Sequence, residues 1–149
     1  QEMNRTLRWC AAILGIALAA GCGGGKVSSD APAAKSPYDA GPRAGESPFA
    51  NVFATKGEVL FKGKGCSACH AFGQRLTCPD LKGVTMRRTS EWMQHQILHP
   101  EIMTKEDPIA KELFATYMTQ MPNQGLTQEE ALLVIDFIKK KDHELGVIQ

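Results

Sequence analysis

Two cysteines and a histidine lie within five consecutive residues near the middle of the chain. Cys66 and Cys69 are separated by two small residues, and His70 directly follows the second cysteine. With this spacing both thiols can reach one edge of a flat ring system while the adjacent imidazole lies beneath its centre. If such a group is bound, the fold must leave room for it beside these three side chains.

This spacing is the attachment sequence of c-type haem, in which both cysteines form thioethers and the histidine binds the iron. A thioredoxin-like pair would need a βαβ context, which the sequence lacks. A zinc site that used Cys66, Cys69 and Cys78 with either His70 or His95 would lack a second close pair of ligands. A disulfide between Cys66 and Cys69 would leave His70 without a role. The motif occurs once, so the sequence predicts one covalently bound haem c.

The N-terminal segment, residues 1–21, has the composition of an export signal. Two arginines precede an apolar run over residues 9–20, which is shorter than the ~20 residues that a membrane-spanning helix needs. Its end, Leu18-Ala19-Ala20-Gly21-Cys22, resembles a bacterial lipobox, after which the signal is removed and Cys22 is lipidated. The alternative is a signal cut elsewhere or an uncleaved anchor helix. In each case the protein leaves the cytoplasm.

The second segment, residues 22–48, is rich in Gly, Ala, Pro and Ser, with Tyr38 as its only large aromatic side chain. This composition predicts a flexible linker with a root-mean-square reach of about 25–30 Å. The third segment, residues 49–149, is the predicted folded domain. A chain of this size buries only about two-thirds of its unfolded surface, so an apolar cofactor in the core would contribute to stability.

Charge and composition exclude other classes of protein. The whole chain carries a net charge of +1, whereas nucleic-acid binders need an excess of Lys and Arg on one face. Charged residues make up 22% and hydrophobic residues 43%, a balance that is ordinary for a folded domain rather than a disordered chain. We therefore expect one folded domain and no nucleic-acid partner.

Apolar periodicity in the third segment predicts about four helices and no strand. The first helix runs from residue 49 to about residue 62. The second begins with Thr89 or Ser90 as its N-cap and is closed by Pro100. The apolar or partly apolar residues that share one side of the first helix are Val52, Phe53, Lys56, Val59 and Leu60.

The other two helices have clear start signals. Asp107 as N-cap and Pro108 at the first helical position open the third helix. Thr127 and Glu130 form a capping box for the last helix, which extends from residue 128 to about residue 141. The pattern is all-α with long loops, and such loops in a small domain are typical of a chain wrapped around a cofactor.

Most of the third segment resembles the class I monohaem cytochromes c. Gly57 and Phe61 match the small residue and the aromatic residue of that family's first helix, and Phe137 matches the aromatic partner in its last helix. In the family the small residue lets these two helices cross closely. The resemblance implies an all-α, cytochrome c-like fold of about four helices wrapped around one covalently bound haem.

A second match is Cys78-Pro79-Asp80-Leu81-Lys82-Gly83, which resembles the family's Gly-Pro-x-Leu-x-Gly with Cys78 in place of the first glycine. By this resemblance the Pro79 carbonyl accepts the second ring N–H of His70, which fixes the imidazole tautomer and strengthens the ligand. We expect Cys78 itself to be a buried, unreactive thiol, because a reactive thiolate needs exposure and a nearby positive charge.

Met121-Pro122 resembles the loop that supplies the sixth ligand of the iron in this family. Met118 is the nearest competitor, but no proline follows it and it lies on the predicted third helix. The remaining alternatives are His95, His99 or an open site. The predicted axial ligands of the haem iron are therefore His70 and Met121.

Histidine and methionine coordination would leave the iron no free position for a substrate. The expected function is an electron carrier rather than an enzyme, with no small-molecule substrate. Its expected partners are a quinol-oxidising complex and a terminal reductase or oxidase, at the periplasmic or extracytoplasmic face of a bacterial membrane. The alternative is a fixed haem subunit of a larger respiratory or nitrous-oxide-reduction complex. A haem enzyme or gas sensor would need a vacant or labile sixth position.

Basic side chains close to the predicted haem motifs could surround an exposed haem edge and attract an acidic partner. The domain contains as many acidic as basic residues, so a mixed solvated surface is the alternative. The basic residues concerned are Lys62, Lys64, Lys82, Arg87 and Arg88.

Overall fold

A computed structural model describes residues 35–149 of the chain. The predicted signal, the lipidated Cys22 and the first part of the predicted linker lie outside the described residues. Within residues 35–149 all regular elements are helical, apart from one isolated bridge between Arg43 and Thr89. The predicted all-α fold is therefore confirmed. No helix in this part of the chain is long and apolar enough to cross a membrane.

Six α-helices occur in the described part, two more than predicted. Two short 3₁₀ turns, Ala44–Glu46 and Cys66–Ala68, accompany them. The helices are α1 (Asn51–Gly63), α2 (Val84–Arg87), α3 (Ser90–Leu98), α4 (Pro100–Glu106), α5 (Pro108–Tyr117) and α6 (Gln128–Glu144).

The helix starts follow from the predicted caps. The Thr89 hydroxyl accepts from the Trp92 N–H, and the Asp107 carboxylate accepts from the first two N–H groups after Pro108. Thr127 and Glu130 form the predicted capping box of α6. The prediction missed α4, because Pro100 was interpreted only as the end of the preceding helix. Pro100 also occupies the first position of α4, where a backbone N–H would have no partner within the helix, so its absence loses no hydrogen bond.

The predicted buried side of α1 was wrong. Val52 and Val59 are 60% and 68% exposed, whereas the buried residues of α1 are Ala54, Gly57 and Phe61. A Cβ added to Gly57 would lie 1.9 Å from the carbonyl oxygen of Leu133 on α6. The two helices therefore touch backbone to backbone, and the small residues rather than the bulky apolar ones define the contact.

Two apolar clusters flank the space between the helices and the long loops. One contains Phe61 and Phe137, whose ring centroids are 5.2 Å apart, together with Val134 and Ile138. This is the aromatic pairing that the family resemblance implies. The other cluster is centred on the residues Trp92, Met93, Met103, Ile109, Ala110 and Ile135.

Residues 35–48 are not a free linker, contrary to the predicted boundary at residue 49. We call them the N-terminal strap. Asp39 accepts the Thr89 backbone N–H at 2.9 Å, and the Tyr38 carbonyl accepts the Thr89 hydroxyl at 2.6 Å. Ala44 is only 1% exposed and belongs to the Trp92 cluster. The strap is thus part of the packed domain, although its composition is typical of a linker.

Candidate functional site

Cys66, Cys69 and His70 are brought together by a tight turn after α1. Gly65 has a left-handed φ of 77°, which lets the chain reverse from the helix into the 3₁₀ turn Cys66–Ala68. The His70 backbone N–H then donates to the Cys66 carbonyl at 3.0 Å. Both thiols are partly exposed, and neither forms a disulfide within the described residues. The turn thus presents the three predicted side chains from one short segment.

The His70 imidazole is held in one tautomer. Its Nδ1–H donates to the Pro79 carbonyl at 2.8 Å, the contact that the family resemblance implies. Burial lowers the pKa of His70, and the hydrogen bond to Pro79 opposes this effect. The ring is therefore neutral at physiological pH, and Nε2 keeps a lone pair that can bind a metal.

The loop that carries Pro79 is fixed by backbone contacts to the cysteine turn. The Cys78 N–H donates to the Cys69 carbonyl at 3.2 Å, and the Leu81 N–H donates to the Ala71 carbonyl at 2.9 Å. Cys78 is buried, and burial raises the pKa of its thiol. These observations agree with an unreactive Cys78 that helps to form the wall of the site.

Met121 lies in the loop between α5 and α6. The Asn123 side-chain amide donates to the Leu98 carbonyl at 2.9 Å, and that of Gln120 donates to the Pro100 carbonyl at 3.2 Å. These bonds attach the methionine loop to the junction of α3 and α4. Met118 ends α5 with a left-handed φ of 51° and is 76% exposed.

An apolar cleft lies between the two loops. It consists of two adjoining cavities of about 140 and 90 Å³. Cys66 lines the smaller cavity and Cys78 the larger one. The residues that line both cavities are His70, Leu81, Val84, Trp92, Gln96 and Met121.

The cleft fits a haem group. Its lining is largely apolar, the His70 imidazole and the Met121 thioether enter it from separate loops, and the Cys66 thiol lies in the wall of the smaller cavity. Cys69, the second predicted thioether residue, lines neither cavity. Met118 lines neither cavity, and the same holds for His95 and His99. The His95 ring instead stacks on Tyr38, with centroids 4.0 Å apart.

The predicted basic residues are not grouped into one patch around the cleft. Arg87 and Arg88 line the larger cavity, whereas Lys62 forms an ion pair with Glu58 on α1. Arg88 also pairs with Asp39 of the N-terminal strap at 3.7 Å. The arrangement is closer to the expected mixed surface than to a basic ring.

Two contacts at or beside the site were not predicted from the sequence. The Gln96 side-chain amide lies 3.7 Å from the Met121 sulfur, and the Arg75 guanidinium lies 4.5 Å from the centre of the Tyr117 ring. The second contact joins the loop after His70 to the helix before the methionine loop. A single glutamine on a helix and a single arginine in a loop carry no pattern, so neither contact could be read from the sequence.

The fold and the cleft together define a class of protein. A small helical domain with closely crossing first and last helices brings Cys66 and His70 of a Cys-x-x-Cys-His turn and Met121 of a second loop to one apolar cleft, which is the architecture of a c-type haem protein. The cytochrome c family model matches residues 54–142, more than half of the chain. The chain therefore belongs to the cytochrome c family, whose members bind haem c covalently, typically one per monohaem domain.

Solved structures show the same fold. Cytochrome c from Rhodothermus marinus superposes with a TM-score of 0.63 at 28% identity, covering 70% of this chain and 99% of that one. An engineered form of that cytochrome, bound to a carbene intermediate, has a TM-score of 0.59 at 28% identity and covers 65% of this chain and 83% of its own. A search of curated protein sequences gave no significant match. Family and fold indicate electron transfer.

Proposed function

We propose that this chain is an exported, lipid-anchored monohaem cytochrome that carries single electrons between respiratory redox partners. Cys66 and Cys69 would hold the haem by thioether bonds, and His70 and Met121 would be its axial ligands. The observation that supports this proposal most strongly is that His70 and Met121, which are far apart in sequence, line the same apolar cleft.

The chemistry supplied by the bound haem is the uptake and return of one electron at its iron. The two ligand side chains tune that chemistry in different ways. The hydrogen bond to Pro79 makes the His70 Nε2 a better donor, whereas the Met121 thioether is a soft ligand that favours the ferrous state and raises the potential. With both side chains as ligands, no coordination site is left for a substrate.

Apolar side chains in the cleft walls would limit the access of water to a bound haem iron. Phe61, Leu81 and Val134 line the smaller cavity together with Ile97 and Ile138. An apolar shell of this kind lowers the local dielectric and limits solvent access, which also raises the potential of a charged iron centre. Cys66 and Cys69 are partly exposed, so the ring edge that they would hold is the expected point of electron exchange.

The cellular setting follows from the N-terminal sequence. A lipid on Cys22 would hold the domain at the periplasmic or extracytoplasmic face of a bacterial membrane. A quinol-oxidising complex and a terminal reductase or oxidase are the proposed partners there. The alternative, a fixed haem subunit of a respiratory or nitrous-oxide-reduction complex, differs in that the protein would stay bound to other subunits.

The test of the haem assignment uses the full chain produced in a host that matures c-type cytochromes. We expect haem that stays on the protein in denaturing gels and resists extraction with acidified acetone. The matched control is the Cys66→Ser, Cys69→Ser double variant, from which any haem should be extractable. Colourless parent protein, or haem extracted equally from both, would overturn the proposal.

The test of the carrier role is gentle solubilisation of membranes that contain the protein. A mobile carrier should be recovered free of other subunits and should be reduced by a quinol-oxidising membrane fraction. Stable co-purification with a respiratory complex would instead support the fixed-subunit alternative.

A further inference from the structure

Gln96 is a polar side chain in an otherwise largely apolar part of the cleft. It lies on α3 and lines both cavities. Its side-chain N–H donates to the Met121 sulfur, with nitrogen and sulfur 3.7 Å apart. Its side-chain oxygen is buried and has no hydrogen-bond partner among the described residues.

This arrangement is costly unless the amide serves the site. A buried oxygen without a partner loses its hydration and gains nothing in return, whereas a leucine would fill the same space at no such cost. Among the described residues, the Met121 sulfur is the only partner of this side-chain amide. A thioether can only accept a hydrogen bond, so the contact requires the N–H end of the amide to face the sulfur.

The backbone of the methionine loop is held by other groups. Asn123 bonds to the carbonyl of Leu98 and Gln120 to that of Pro100, and neither side chain reaches the sulfur. Gln96 therefore acts on the thioether itself rather than on the path of the loop. Removing its amide should leave the loop in place.

We propose that Gln96 is a positioning residue for the sixth ligand. Its N–H occupies one lone pair of the Met121 sulfur and leaves the other for the iron. The hydrogen bond also withdraws electron density from the sulfur, so the sulfur donates less to ferric iron. The hydrogen bond is therefore stronger when the iron is ferrous. This inference rests on the proposed function, because it takes Met121 as the ligand.

The test compares the holoprotein variants Gln96→Leu and Gln94→Leu. Gln94 is the matched control, because its amide on the same helix donates to the Gln128 carbonyl at 3.4 Å and does not line the cleft. At a fixed applied potential, Gln96→Leu should raise the ferric-to-ferrous ratio measurably and by at most about 10-fold, because the difference between the two oxidation states cannot exceed the net free energy of one hydrogen bond. It should also shift the weak red absorption band of ferric iron bound to methionine sulfur. Gln94→Leu should match the parent in both measurements.

The outcomes separate this inference from the ligand assignment. Suppose that the red band disappears in Met121→Ala, while Gln96→Leu has the parent's ferric-to-ferrous ratio and the parent's red band. Only the role of Gln96 is then overturned. If the band persists in Met121→Ala, the ligand assignment and the role of Gln96 both fail. Should Gln96→Leu not retain haem, Gln96→Asn replaces it, because that amide is one methylene too short to reach the sulfur and should shift the ratio in the same direction.

Discussion

His70 and Met121 enter the cleft from two different kinds of local structure. His70 belongs to a turn shaped by Gly65 and by the hydrogen bond from the His70 backbone N–H to the Cys66 carbonyl. The Pro79 carbonyl fixes the His70 ring. Met121 belongs to a loop without regular structure that is attached to α3 and α4 by side-chain amides. The position of the imidazole is therefore local in origin, while that of the sulfur depends on tertiary contacts.

The first prediction concerns the methionine ligand. Met121→His should keep a six-coordinate iron and lower the midpoint potential by on the order of 100 mV, a small part of the ~0.8 V range that axial ligands span, because imidazole favours ferric iron more than a thioether does. Met121→Ala should open the site, which would appear as a high-spin component and as binding of cyanide or carbon monoxide. Redox titration and absorption spectroscopy of the holoprotein give these values.

Met118→Ala is the matched control for this prediction. Met118 is 76% exposed and lines neither cavity, so its truncation should leave spectrum and potential unchanged and alter stability by less than about 0.5 kcal/mol. A red ferric band that survived in Met121→Ala and vanished in Met118→Ala would show that the ligand has been assigned to the wrong methionine.

At the scale of helices, the crossing of α1 and α6 leaves no room for one additional carbon atom. Gly57→Ala would place a Cβ 1.9 Å from the Leu133 carbonyl oxygen and 2.5 Å from its carbon. These are backbone atoms that cannot rotate away, so the helices must separate. We expect the free energy of unfolding to fall by about 1–3 kcal/mol or more, measured by denaturant titration of the holoprotein.

Gly63→Ala on the same helix is the control for Gly57. A Cβ at Gly63 meets no atom within 4 Å, and alanine favours the helical backbone. This substitution should therefore be neutral or stabilising by up to about 1 kcal/mol. Equal losses of stability in both variants would mean that helix crossing is not the reason for a glycine at position 57.

The N-terminal strap gives a prediction about where the domain begins. A soluble holoprotein that starts at residue 49 should be less stable than one that starts at residue 35 by about 2–4 kcal/mol, because three hydrogen bonds to Thr89 and Arg88 and the burial of Ala44 are lost. Thermal unfolding followed at the haem absorption measures the difference. Coincident transitions would show that the strap contributes nothing to folding and would restore the boundary at residue 49.

Across the whole molecule, the features that the sequence predicted correctly are those encoded over a few neighbouring residues. Caps such as Asp107 and Thr127 act within one helical turn, and the glycine and aromatic positions of α1 were recognised through a family pattern. The prediction of the buried side of α1 was wrong because the bulky residues Val52 and Val59 dominate the apolar periodicity. The close crossing of α6 instead requires the small residue Gly57 at the contact.

The strap and Gln96 were missed for a related reason. The strap has the composition of a linker, and its order comes from contacts with residues some fifty positions away, such as Asp39 with Thr89. Gln96 looks like any polar residue on a helix until the methionine loop folds over it. Features that depend on long-range contacts with single residues leave no local signal in one sequence.

The last prediction concerns how the domain is held at the membrane. Because the strap is packed, the predicted tether shortens to residues 23–34, which lie outside the described residues. A flexible coil of that length has a root-mean-square reach of about 20 Å. The lipobox-like sequence that ends at Cys22 makes a lipid on this cysteine the predicted attachment. Cys22→Ala should therefore move the holoprotein from the membrane to the soluble periplasmic fraction, or leave it unprocessed, with an unchanged haem spectrum.

Cys10→Ala, within the predicted signal, is the control and should stay in the membrane fraction. Fractionation with mass spectrometry of the mature N-terminus decides the matter, and a membrane-bound form that begins well downstream of Cys22 would refute the lipid anchor.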